Sequence, residues 1–141
     1  MNLYQLVYVS KLPKPMKGRE LKLLIERAKI KNINLDVTSL LIKFDTNLIQ
    51  ILEGNRHTLQ ELYDDIESDS RHINVRNCYF EPAEQRIFGK WALTFLNLNN
   101  EKLKSKERLQ ELAHQLIDAR GDDEYSKSIL LLDEFSERVK Q

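Results

Sequence analysis

The stretch Val37-Thr38-Ser39-Leu40-Leu41-Ile42-Lys43-Phe44-Asp45-Thr46-Asn47-Leu48-Ile49-Gln50-Ile51-Leu52-Glu53-Gly54 decides the fold. Its two apolar runs, Val37 to Phe44 and Leu48 to Leu52, flank Asp45-Thr46-Asn47, turn residues that suit a tight hairpin. Gly54 then reads as a point where the chain turns. Upstream, Leu3-Tyr4-Gln5-Leu6-Val7-Tyr8-Val9 is rich in β-branched and aromatic residues and ends at a turn holding Pro13 and Pro15, which marks a first strand. Leu6 and Tyr8 point to one face and Val7 and Val9 to the other, so both sides of the sheet need a cover.

Between this strand and the hairpin, Leu21, Leu24, Ile25 and Ala28 fall at the spacing of one buried helix stripe, predicting a helix from about Arg19 to Lys31. After the hairpin, Leu59, Leu62, Tyr63 and Ile66 repeat that spacing. Val75 to Glu81 and Trp91 to Leu96 then read as two more strands around a loop with Pro82 and Gly89. The order is βαββαββ, an α+β sandwich whose five-stranded sheet carries two helices on one face. Two further stripes, Leu109, Leu112, Ala113, Leu116 and Ile117, then Ile129, Leu132, Phe135 and Val139, are separated by Gly121-Asp122-Asp123. These two C-terminal helices are expected to cover the opposite face, with Val7, Val9, Ile49 and Ile51. A partner protein is the competing occupant of that face.

Length and composition limit the chemistry. A chain of 141 residues with 41% apolar and 31% charged residues has enough core for one folded domain. Its 22 basic and 22 acidic side chains cancel, which argues against binding nucleic acid through a general cationic surplus. Locally the charge is uneven: residues 1 to 44 carry nine basic and three acidic groups, residues 45 to 70 one and seven. Cys78 is the single cysteine, and His57, His72 and His114 share no ligand spacing, so neither a disulfide framework nor a metal site is expected. The four glycines stand alone, which excludes a phosphate-cradling glycine loop. Lys11-Leu12-Pro13-Lys14 lacks the arginine that an acylphosphatase-like loop needs, and no serine-nucleophile motif is present. With no apolar run of about 18 residues and no signal-like N-terminus, a membrane span is not expected and the cytoplasm is the default location.

The informative residues are polar ones inside the sandwich. Gln50 shares a face with Leu48 and Leu52, and Tyr8 with Leu6. A buried glutamine without partners costs about 1 to 3 kcal/mol, so Gln50 must be bonded. Either Tyr8 and Gln50 satisfy each other or both face a polar ligand between the two helices. Asn32 reads first as a helix terminator in left-handed geometry and second as a donor and acceptor for a heterocycle. Arg71 and His72, after the second helix, suit the negative end of its dipole.

Tyr8 in VYVS, Asn32 after ERAKIK, Val37-Thr38 opening a strand, Gln50 in LIQILEG, Asp69-x-Arg71-His72 and Phe88-x-x-Trp91 resemble, in this order and spacing, the BLUF family of blue-light sensors using flavin. The resemblance covers residues 1 to 96, leaving 97 to 141 as a helical extension. It implies a ferredoxin-like sandwich holding non-covalent FAD, or FMN or riboflavin, between its two helices. Tyr8 would be the electron donor to the excited flavin and Gln50 the hydrogen-bond switch, with Trp91 and Leu93 sensing it. Asn32 would bind the flavin's polar edge, and Ile25, Leu41, Leu48 and Ile66 would line the ring. Arg71 and His72 would sit at the ribityl or phosphate end, with Lys31 and Asp69 also among the binding positions. The implied output is a signal through the C-terminal helices to a downstream protein or an oligomer of the same chain, with no substrate turned over and no direct contact with nucleic acid, membrane or metal. A flavin-free interaction module is the other reading. The chain departs from the family pattern at Leu93 for a usual methionine, at Ser39 and Asp36 for glycines, at Leu48 for phenylalanine, and at Asp65 for a basic residue that helps hold phosphate.

Overall fold

In the computed structural model, the described residues are 2–88, 92–100 and 106–118. They run β1 (Leu3–Lys11), α1 (Gly18–Asn34), β2 (Thr38–Phe44), β3 (Asn47–Asn55), α2 (Arg56–Glu67), β4 (Ile73–Pro82), β5 (Thr94–Asn97) and α3 (Lys106–Asp118). This is the expected element order, in one five-stranded sheet of order β4-β1-β3-β2-β5. β1 pairs antiparallel with β3 and β4, β3 antiparallel with β2, and β5 runs parallel to β2. A two-residue loop, Asp45-Thr46, closes the hairpin between the paired Phe44 and Asn47, with Asp45 in left-handed geometry at φ 56°.

The period of two along β1 and β3 separates two cores. On one face, Leu6, Tyr8 and Leu52 pack with Leu59, Leu62 and Tyr63 of α2, while Leu41 and Leu48 pack with Leu21, Leu24, Ile25 and Ala28 of α1. On the other, Val7, Val9, Ile49 and Ile51 join Leu109 and Ala113 of α3. The first C-terminal helix therefore covers the predicted face. Each large side chain buried this way contributes roughly 1.5 to 3 kcal/mol. The second predicted helix, with Ile129, Leu132, Phe135 and Val139, lies outside the described residues.

Three local expectations are corrected. Gly54 does not turn the chain: it pairs with Tyr4 inside β3, and the turn into α2 falls at Asn55, whose side chain accepts from the His57 amide at 2.9 Å. A Cβ on Gly54 would stand 3.3 Å from Val37 Cγ2, so the missing side chain serves close packing instead. Asn32 is not the terminator of α1, which runs to Asn34; left-handed geometry falls on Asp36, at φ 55°. Finally, β5 begins at Thr94 rather than Trp91, because the Ala92 carbonyl is taken by side chains. Trp91 itself lies outside the described residues.

Candidate functional site

Tyr8, Gln50 and Leu41 stand opposite one another on β1, β3 and β2, forming one row across the sheet beneath the helices. The Tyr8 hydroxyl donates to the Gln50 side-chain carbonyl. Both residues are buried, and burial, with Tyr63 adding to it, pushes the Tyr8 phenol well above its ordinary range. The predicted mutual hydrogen bond is thus present, yet it spends only half of the Gln50 amide. Among the described residues, Gln50 Nε2 makes no hydrogen bond, and Gln50 lines a cleft between α1 and α2.

Asn32 shows the same incomplete pairing. Its Nδ2 donates to Ser39 Oγ and to the Ala92 carbonyl, both at 2.8 Å, and Ser39 Oγ donates to that carbonyl at 2.9 Å. Its Oδ1 has no hydrogen bond among the described residues, and Asn32 also lines the cleft. Among the described residues, one amide donor and one amide acceptor are thus left unpaired along a single cleft.

The cleft has a cavity volume of about 160 Å³ and opens to solvent. Its apolar walls are Leu24, Ala28, Leu41, Leu48, Leu62 and Ile66. Of the sequence-predicted positions, Tyr8, Lys31, Asn32, Leu41, Leu48, Gln50, Ile66, Asp69, Arg71 and His72 all line it. Ile25 does not: it packs in the adjoining core, and Leu24 and Ala28 make that wall. Leu93 is buried beside Leu41 and Leu48 in the same core. Leu24, Arg27, Ala28 and Leu62 were missed as lining residues; the helix stripes of both helices already carried the signal for three of them.

The mouth is charged. Lys31 of α1 reaches Asp65 of α2 at 3.2 Å, a solvent-exposed pair worth little in stability that nevertheless spans the opening. Arg71 is not at the helix dipole as expected. Its guanidinium grips Asp69, whose carboxylate also accepts from the Arg71 amide at 2.9 Å. The Arg71 hydrogen bonds draw the Asp69 carboxyl down to about 2. Since that value lies below the unbound 3.8, the turn's contribution is present above pH 3.8 and fades as pH falls through about 2. Acid titration followed by NMR should show this loss at residues 69–72 in the wild type and not in Asp69→Asn. His72 meets Ser10 Oγ at 3.2 Å, and burial lowers its pKa, so it faces the cleft as a neutral imidazole. Of the cleft's cations, Arg27 holds no ion pair among the described residues.

Such a fold and site define an α+β domain with an apolar-walled cleft between its two helices that is lined by two buried amides. The chain belongs to the BLUF family, sensors of blue light using FAD, which it matches over residues 3–94. It is 30% identical over 112 residues to a photoactivated adenylate cyclase subunit beta from Euglena longa, covering 79% of this chain and 13% of that protein. It is 27% identical over 93 residues to the blue light- and temperature-regulated antirepressor BluF of Escherichia coli, covering 66% of this chain and 23% of that one. Among solved structures, the BLUF protein BlrB in its dark state superposes with a TM-score of 0.76 at 21% identity, covering 99% and 98% of the two chains. A bacterial light-regulated adenylyl cyclase superposes with a TM-score of 0.72 at 27% identity, covering 82% of this chain and 36% of that one. The ferredoxin-like fold and the blue-light-sensing family are therefore those expected from the sequence. Among the described residues, no helix is long and apolar enough to cross a membrane.

Proposed function

We propose that residues 1–96 form a flavin-binding photosensory unit and that residues 97–141 carry its signal to a partner protein or to a second copy of the chain. The observation that carries this reading is the unspent half of two buried amides, Gln50 Nε2 and Asn32 Oδ1, facing one apolar-walled cleft. A flavin ring supplies a strong one-electron oxidant on absorbing blue light. Tyr8 is the donor at hand, because its buried phenol is hydrogen-bonded to Gln50 and cannot ionise at ordinary pH. Gln50 holds the proton path: its carbonyl accepts from Tyr8 while its amide nitrogen is free to bond a ligand, so turning or tautomerising the amide exchanges donor for acceptor. Asn32 orients the ligand edge, and Leu24, Leu48 and Ile66 exclude water.

The route outward follows strand geometry. β3 carries Gln50 toward the cleft and Ile49 and Ile51 toward α3, so a rearrangement at Gln50 lies one residue from the face that α3 covers. A second route passes from Asn32 through Ser39 to the Ala92 carbonyl, beside Leu93. Trp91 is assigned to this sensing segment by the family resemblance alone. The role is that of a sensor rather than an enzyme, and the flavin is FAD or, in its place, FMN or riboflavin. Arg27 is the cleft cation open to a phosphate, whereas Lys31 and Arg71 are engaged by Asp65 and Asp69, which brings FMN and riboflavin into competition.

Purified protein loaded with each flavin should show a reversible red shift of the flavin absorption band under blue light, lost in Tyr8→Phe. A flavin-loaded protein without that shift, or an intact shift in Tyr8→Phe, overturns the mechanism.

A further inference from the structure

A second phenol lies against the first. The rings of Tyr8 and Tyr63 stand edge to face, with centroids 6.2 Å apart, and both belong to the core that α2 seals over the sheet. Tyr63 does not line the cleft. The Glu67 carboxylate, one helical turn further along α2, acts on its hydroxyl to raise the pKa, and the Asn77 backbone acts to lower it. The two phenols thus differ in where a proton can go. Tyr8 has a neutral amide carbonyl as its acceptor, whereas the charged group that acts on Tyr63 is a carboxylate one helical turn away.

We propose that Tyr63 is a second redox-active tyrosine that refills Tyr8 after Tyr8 has been oxidised. The inference rests on the photosensor reading, with the photoexcited flavin as the oxidant that takes one electron from Tyr8. Tyr63 then gives one electron to the oxidised Tyr8, and the Tyr63 hydroxyl proton passes to Glu67. Tyr8 is restored as a neutral phenol, Tyr63 becomes a neutral radical, and Glu67 becomes a carboxylic acid. The returning electron reverses each move. Edge-to-face contact leaves no intervening group to slow the transfer, and the carboxylate removes the positive charge that oxidation would otherwise leave in the core. Refilling competes with the rearrangement at Gln50, so Tyr63 is a side path that limits the yield of the switched state.

The test uses flavin-loaded protein and a blue flash, with time-resolved EPR and transient absorption as readouts. The wild type should show a tyrosyl radical that outlives that of Tyr63→Phe several-fold, and Tyr63→Phe should give a higher yield of the red-shifted state. Glu67→Gln keeps the ring, removes the proton acceptor, and should behave like Tyr63→Phe. Unchanged lifetime and yield in both variants would overturn the inference while leaving the Tyr8 mechanism intact. Absence of any tyrosyl radical in the wild type would overturn both. A flavin-free readout checks the proton path. Burial and Glu67 push the Tyr63 phenol up to about 12, and Glu67→Gln should lower it. An unmoved titration removes Glu67 as the acceptor and the proposal with it.

Discussion

Gln50→Leu should yield a protein that still takes up flavin but shows no light-induced red shift. Leucine matches the Leu48 and Leu52 side chains that flank position 50 on the same sheet face, so the cleft keeps its apolar shape. What disappears is the acceptor of the Tyr8 hydroxyl and the amide donor facing the ligand. The stranded phenol costs about 1 to 3 kcal/mol, which lowers stability without unfolding the domain. Flavin affinity should fall by no more than about tenfold, the worth of one hydrogen bond near 1.4 kcal/mol. The light response should fall to zero, because no remaining side chain in the row of Tyr8, position 50 and Leu41 can exchange donor for acceptor. A difference spectrum recorded before and after illumination decides the matter. A red shift of normal size in this variant would remove Gln50 from the switch.

Period-two counting made the central pair legible. A glutamine between Ile49 and Ile51 and a tyrosine between Val7 and Val9 each interrupt an apolar run on the face shared with leucines, and the register places them directly opposite. Faces are fixed by alternation, so the sequence also showed which residues would lie under α3. Less legible were features made by chain segments that meet only in three dimensions. Asn32 looked like a helix end because its last turn breaks the apolar stripe: Asn32 points inward while Ile33 is exposed. No local signal shows that its carboxamide will hold Ala92, sixty residues away in the chain. Ile25 and Leu24 share a helix stripe, and only the crossing of α1 over the sheet decides which of them meets the cleft. Gly54 carried a turn signal that its actual role, room for Val37, imitates.

Glu53 belongs to that second class, and its replacement carries the largest expected effect on stability. The carboxylate is 1% exposed, although it sits in an otherwise apolar strand beside Leu52. It accepts from the Ile87 and Phe88 amides at 2.6 and 2.8 Å, from Thr38 Oγ1 at 3.0 Å and from Gln5 Nε2 at 3.2 Å. Arg86 reinforces the same junction through Thr38 Oγ1 and the Asp36 carbonyl. One side chain therefore fastens the loop after β4 to the hairpin, and that loop seats the fully buried Phe88 in the core under α3. Glu53→Ala strands two backbone donors that lie too deep for easy solvation, each worth about 1 to 3 kcal/mol when unpaired, for a total loss of roughly 3 to 5 kcal/mol. Glu53→Gln should lose about half of that, since its carbonyl can still accept one amide while its NH2 opposes the other. Urea unfolding of both variants measures the difference. A loss in Glu53→Ala below about 1 kcal/mol, the range of a surface substitution, would show that the junction holds without the carboxylate.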